Sequence, residues 1–293
     1  MRILIIGSTG WVGEQVWWNA NRSGHECHTI SRTEFWMDEE FNNYLKNVDA
    51  VVNCAGYAGT PNVDACELPE NREAVHTANV KIPKRLAEFC KDIPFVHVSS
   101  GCLYQGQGRT GRLRERTDYI GKHFTIDDWQ HDSWSERNAP NFRGSYYAQT
   151  KIEGEQQLEN VDCWILRPRM FFGLGKHNKN FISKIIEYDT IVNAINSVTH
   201  IGEFCVSIIK CINLNPPFGT YNITHPVPVM TSQILDTLGY EKKYVTCQKF
   251  NEDMRAKGLA ERSFTTLDSR KACQHKIGLS LDPMRIIQNY KHQ

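Results

Sequence analysis

Met1-Arg2-Ile3-Leu4-Ile5-Ile6-Gly7-Ser8-Thr9-Gly10-Trp11-Val12-Gly13 opens the chain. Arg2 to Ile6 is an apolar run too short for a stable helix and suited to a strand buried on both faces. It feeds straight into three glycines, and a helix-compatible stretch follows from Glu14 to Asn19. Strand, tight turn and helix in that order form a dinucleotide site. Backbone N–H groups at the helix start face a pyrophosphate, and the missing side chains permit close approach. The spacing is G-x-x-G-x-x-G rather than G-x-G-x-x-G, so the triplet alone is weak and its place after a first strand carries the argument.

Working outward, Glu26 to Ile30 reads as the second strand. At its end, where an NAD site usually places an acid, the chain has Ser31-Arg32-Thr33. A hydroxyl and a guanidinium suit a 2′-phosphate, which favours NADPH over NADH; the competing reading makes Arg32 a solvated loop cation. After a helix over Asp38 to Lys46, Ala50-Val51-Val52-Asn53 is a third strand whose exit, Cys54-Ala55-Gly56, is small enough to lie against a cofactor. The turn-rich loop from Tyr57 to Glu67 then stands at the carboxyl end of a strand, where open parallel sheets bind ligands. A helix over about Asn71 to Lys91 carries Val75, Ala78, Ile82, Leu86 and Phe89 at helical spacing, a core or dimer face. Pro94 to Val98 is the fourth strand and delivers Ser99-Ser100-Gly101-Cys102 to the same edge. The fold class expected is α/β, a Rossmann-type doubly wound parallel sheet with a smaller C-terminal substrate-binding domain.

Tyr147 and Lys151 stand four apart, so on a helix they share one face. A phenol ordinarily ionises at a pH of ~10 and exchanges a proton near neutrality only if its anion is stabilised, which a neighbouring ammonium does. A serine such as Ser100 can hydrogen-bond the same reacting oxygen. Together they form a proton-transfer set for a carbonyl or alcohol.

The 293 residues carry a formal charge of +1, giving no field for nucleic acid or an anionic membrane. No apolar run approaches the ~18 residues that cross a bilayer. The 10 cysteines form no C-x-x-C pair and no zinc spacing, so no metal is expected. The chain starts on a strand without a leader-type segment, so reduced thiols and a cytoplasmic location are expected.

As a set, the glycines, Asn53-Cys54-Ala55-Gly56, Asn79, Ser100 four before Tyr104, and Tyr147 with Lys151 resemble an extended short-chain dehydrogenase/reductase of the nucleotide-sugar type. Ala55 to Glu67, Pro140 to Tyr147, Leu166-Arg167-Pro168-Arg169-Met170 and Asn180-Phe181-Ile182-Ser183-Lys184 resemble more closely the plant-type bifunctional UDP-4-keto-6-deoxyglucose 3,5-epimerase/4-reductases of UDP-L-rhamnose synthesis. The chain departs from that pattern over Gln105 to Arg137, which is longer and richer in charge, and at Ser99-Ser100, where an Ala-Thr type pair is usual.

The resemblance implies Ser100, Tyr147 and Lys151 as the reductase set, and Cys102 and Lys184 as epimerase acid/base groups. Cofactor contacts are expected from Gly7, Thr9, Gly10, Trp11, Val12, Gly13, Ser31, Arg32, Asn53, Ala55 and Gly56, besides Tyr147 and Lys151. The UDP-sugar is expected on Thr60, Asn62, Arg169 and Asn180. For Arg169 a diphosphate contact and a structural ion pair both stand as readings. The family further implies a homodimer through the helices around Asn71 to Lys91 and Tyr146 to Glu159.

Residues 1–166 are expected to form the NADP-binding domain and 167–293 mainly the substrate domain, with about 190–213 returning to the first. Gly219 to Ile223 is assigned to the cap. Two other functions fit the same residues, a 4-keto-sugar reductase without epimerase activity and a non-catalytic NADP-binding regulator. A proton-transfer set that a sensor does not need argues against the second.

Overall fold

The computed structural model describes residues 1–106 and 125–290. Its frame is one sheet of six strands: β1 (Arg2–Ile6), β2 (Glu26–Thr29), β3 (Ala50–Asn53), β4 (Phe95–Val98), β5 (Cys163–Arg167) and a last strand, Gly219–Asn222. Their spatial order is Gly219–Asn222, β5, β4, β3, β1, β2, and every neighbouring pair is parallel.

Double burial explains the near-continuous apolar runs. Ile3 and Ile5 join Val16, Ala20, Phe204 and Ile208 on one face, beneath the helices Trp11–Arg22 and Ile201–Leu214. Leu4 and Ile6 join Phe41, Leu45 and Leu86 on the other, beneath Asp38–Leu45 and Ile82–Phe89. Parallel strands need such helical crossovers, and each turns every second side chain to the opposite layer. The chain runs from β1 out to β2 and returns on the other side of β1 as β3, so the crevice opens at the carboxyl ends of β1 and β3.

A second apolar cluster holds Phe172, Ile182, Ile185, Val198, Val229, Leu235 and Ile287. Here two assignments change. Gly219–Asn222, expected in the cap, pairs with β5 and extends the large sheet. Thr190–Val192, expected to return to that sheet, pairs instead with Lys243–Val245 in a separate two-stranded sheet. Both strands are short and motif-free, so only long-range pairing decides where they go.

The helix expected over Asn71 to Lys91 is interrupted. α-Helix Arg72–His76 widens into a π turn over Thr77–Lys81 before resuming as Ile82–Phe89. Pro83 lacks the N–H that an α-helix would direct at the Asn79 carbonyl, and its ring crowds that oxygen. The freed carbonyl packs on Gly154 of the helix Tyr146–Gln156, where a Cβ would lie 2.0 Å from it. The long segment Gln105 to Arg137 lies partly outside the described residues.

Candidate active site

The glycine turn is made of backbone. Gly7 has φ +78°, and a Cβ there would meet the Ala55 nitrogen at 2.6 Å, so the exits of β1 and β3 touch. A Cβ on Gly13 would lie 2.2 Å from the Gly7 carbonyl oxygen, which leaves no room for a side chain at that position. Thr9 and Gly10 are exposed at the mouth, Val12 is half-buried, and Gly10 caps the helix without a side chain. A helix start stripped to N–H groups fits the pyrophosphate of a dinucleotide. Trp11 turns the other way, stacking on His177 at 4.4 Å and bridging towards the second cluster.

At the end of β2, Ser31 caps the short helix Arg32–Trp36. Its hydroxyl accepts from the Glu34 N–H, and the Glu34 carboxylate accepts from the Ser31 N–H. Arg32 is exposed beside this capping box. Asn53 is buried, its side-chain Oδ1 accepting from the Ala55 N–H at 3.0 Å and its side-chain Nδ2 reaching His97 Nδ1 at 2.9 Å. It holds the strand exit rather than facing the crevice.

Ser100, Tyr147 and Lys151 converge from two elements. β4 ends in Ser100, whose Oγ accepts the Cys102 N–H at 3.1 Å and hydrogen-bonds Tyr147. Ser145 caps the following helix and so turns Tyr147 and Lys151 to the same side. Burial pushes the Tyr147 phenol above its ordinary value; Cys102 and Cys66 nearby add to the rise and Ser100 opposes it. Lys151 is buried and pulled down to about 8 by desolvation, with Glu155 opposing.

The sequence led us to expect the ammonium against the phenol. Instead Lys151 Nζ donates to the Val98 carbonyl at 3.0 Å, and a Cβ on Gly56 would come within 3.4 Å of it. Asn79, on the π turn, accepts from the Tyr57 N–H at 2.9 Å and donates to Thr150 Oγ1 at 3.1 Å, tying the β3 exit to the Tyr147 helix.

Other expected residues have different duties. Arg169 is 1% exposed, and all its N–H groups are engaged within the fold, one of them on Cys102 Sγ at 3.2 Å. It is neither a diphosphate ligand nor half of an ion pair with a carboxylate of the described residues. Asn180 is fully buried; its oxygen caps the helix Phe181–Glu187, and its amide donates to the Gly173 and Gly175 carbonyls. It organises the loop behind the site and has no group left for a sugar. The Asn62 oxygen caps the turn Val63–Cys66, while Thr60 is exposed on the loop beside it. Lys184 is half-buried on its helix, Nζ 3.5 Å from the Pro61 carbonyl; burial first, then Lys179 and Arg262, pull it below the usual lysine value.

Sequence reasoning missed Glu155, Arg167 and Tyr104. Glu155 takes hydrogen bonds from Ser99 and from both Arg167 Nε and Nη2, and Arg167 Nη1 donates to Tyr104 Oη at 2.6 Å. The fourfold spacing that singles out Tyr147 and Lys151 runs on to Glu155, and that was the available signal.

Among the described residues no group of His, Cys, Asp and Glu could hold a metal, and no helix is long and apolar enough to cross a membrane. A doubly wound parallel sheet whose glycine turn stands beside a serine, tyrosine and lysine set defines a Rossmann-like fold of the reductase kind. The RmlD substrate binding domain family matches residues 1–199, and the chain belongs to that family.

Two Arabidopsis thaliana proteins are each 28% identical over 92% of this chain. One is a bifunctional dTDP-4-dehydrorhamnose 3,5-epimerase/dTDP-4-dehydrorhamnose reductase, matched over 85% of its length. The other is a trifunctional UDP-glucose 4,6-dehydratase/UDP-4-keto-6-deoxy-D-glucose 3,5-epimerase/UDP-4-keto-L-rhamnose-reductase, of which the chain spans only 40%. The crystal structure of the L780 UDP-rhamnose synthase from Acanthamoeba polyphaga mimivirus superposes with a TM-score of 0.82 at 22% identity, over 99% of both chains. A dTDP-4-dehydrorhamnose reductase from Bacillus anthracis in complex with NADP gives 0.71 at 16%, over 99% of this chain and 96% of that one.

Proposed function

We propose that the protein is an NADPH-dependent bifunctional enzyme, a 3,5-epimerase and 4-keto reductase that converts UDP-4-keto-6-deoxy-D-glucose to UDP-L-rhamnose. The observation that carries this reading is that one loop, Ser99 to Cys102, brings a serine bonded to Tyr147 and a thiol bonded to Arg169 to the same strand end. The named activities of the plant relatives support the choice of reactions.

A ketone at C4 acidifies the hydrogens on C3 and C5, because the carbanion is an enolate. Inversion needs proton carriers at opposite faces of the ring, and Cys102 and Lys184 fill these roles in our reading. The lowered pKa of Lys184 helps it act near neutrality. Ser100 and Tyr147 hydrogen-bond the C4 oxygen, stabilising the enolate and then polarising the carbonyl. Gly7, Gly10, Gly13 and the Ser31-Arg32 turn would hold NADPH, which when bound would supply the hydride for C4. Tyr147 gives its proton to O4, and Lys151 compensates the phenolate charge. We read 1–166 as the dinucleotide-binding domain and the rest as mainly the substrate domain, with Ile201–Leu214 and Gly219–Asn222 rejoining the first.

The test is to incubate protein, NADPH and UDP-4-keto-6-deoxyglucose in deuterated water and to identify sugar and label by NMR. UDP-L-rhamnose labelled at C3 and C5, with exchange impaired in Cys102→Ala, is the expected result. NADPH oxidation that yields only unepimerised, unlabelled sugar would leave a plain reductase.

A further inference from the structure

Arg169 is a cation buried among neutral partners. Of the five N–H groups of a guanidinium, four donate to oxygens that carry no formal charge: the Thr265 carbonyl at 3.2 Å, Ser263 Oγ at 3.0 Å, Asn196 Oδ1 at 2.6 Å and the Ser263 carbonyl at 2.7 Å. The fifth donates to Cys102 Sγ at 3.2 Å. Among the described residues Cys102 is the only charge partner acting on it, and an uncompensated buried cation is costly. The sulfur is thus the one contact that is not a neutral oxygen, and a guanidinium held on a thiol fixes where that sulfur points.

The approach is built in. Gly101 N–H donates to the Pro168 carbonyl at 2.7 Å, and a Cβ on Gly101 would stand 3.1 Å from Arg169 Cβ and 2.4 Å from Leu267 Cδ1. The glycine lets the loop lie flat on the arginine. Tyr147, on the helix Tyr146–Gln156, is close enough for this sulfur to add to the rise of its phenol.

We propose that Arg169 is the positioning residue of Cys102, fixing the sulfur's orientation for proton exchange at the sugar; this rests on the reading of Cys102 as a proton carrier. As base, the thiolate takes the α proton while the C–H electron pair passes into the enolate. As acid, the thiol gives its proton to the ring carbon and the enolate pair becomes the new C–H bond. Arg169 keeps its own protons throughout.

The full-length protein is tested with three readings. They are deuterium entry at C3 and C5 of UDP-4-keto-6-deoxyglucose, NADPH oxidation by UDP-4-keto-rhamnose, and the rate at which iodoacetamide alkylates Cys102 at neutral pH, followed by peptide mass spectrometry. In Arg169→Met, exchange falls at least about tenfold further than reduction, alkylation slows by a similar factor, and Arg169→Lys restores part of both. Ser263→Ala is the milder companion. It keeps the arginine and removes one acceptor that aims Nη1, and it lowers exchange about threefold relative to reduction.

Exchange and reduction falling in parallel in Ser263→Ala, or wild-type alkylation in Arg169→Met, would overturn the proposal. Wild-type exchange in Arg169→Met with impaired Cys102→Ala would sink this proposal alone. Wild-type exchange in Cys102→Ala would remove the epimerase reading and this proposal with it.

Discussion

Arg167 and Arg169 flank Pro168, and both are buried, yet they live in opposite electrostatic worlds. Arg167 faces Glu155 through two nitrogens, and that carboxylate pushes its pKa up against the penalty of burial. Arg169 has no carboxylate of the described residues acting on it, and burial pulls its pKa down. The first pair is electrically closed and anchors Ser99 and Tyr104. The second is open, completed by the Cys102 sulfur. One loop thus hangs from an ion-paired support at Ser99 and a neutral one at Cys102, and Ser100 sits between them.

The comparison can be sharpened first at the chemistry. Tyr147→Phe should lower reduction by ~10²–10⁴-fold, the usual worth of a general acid. Deuterium exchange should fall far less, because Ser100 still bonds the C4 oxygen. Equal losses would mean that the two halves are not separable. A smaller effect tests the closed pair. Arg167→Met should cost ~3–5 kcal/mol in urea unfolding, since it strands the Glu155 carboxylate in a buried site. A loss below ~1 kcal/mol would show that the pair does not support the loop.

The smallest effect is in pH. In the proposed mechanism Lys151, at about 8, is charged when it compensates the phenolate. Reduction should therefore decline as pH rises through about 8, approaching tenfold per unit well above it. The unfolded chain keeps this lysine's proton up to ~10.4, so over the same window the unfolded state binds more protons and the lysine makes the fold more stable. Activity falling while the urea midpoint holds or rises is the expected signature, and joint loss would assign the decline to unfolding. In Glu155→Gln the decline should begin at lower pH, because Glu155 favours the charged lysine.

Much of the frame was legible locally. β1, the glycines and the Tyr147–Lys151 stripe are short-range patterns of burial and spacing, and each structural duty lies within a few residues of its signal. Asn180 was misread although its signal was local too, an asparagine just ahead of the helix starting at Phe181. The resemblance implies a sugar contact at a residue whose side chain is the helix cap. The duty of Arg169 had no local trace. Its partners Asn196, Ser263 and Thr265 lie 27, 94 and 96 residues further on. Two of them fall beyond the region matched by the family, residues 1–199. Lys151 was placed on the right face but against the wrong oxygen, since helical spacing gives direction and not the depth to which a side chain sinks.

Those sequence separations also set an order in time. A chain growing from the ribosome can close the glycine turn onto Ala55 while most of it is still unmade. The seat of Arg169 needs Ser263 and Thr265, far along the chain and translated much later. The contact of the glycine turn lies within the first 55 residues, whereas the seat of Arg169 is complete only once residue 265 has been made, though the two end in one fold.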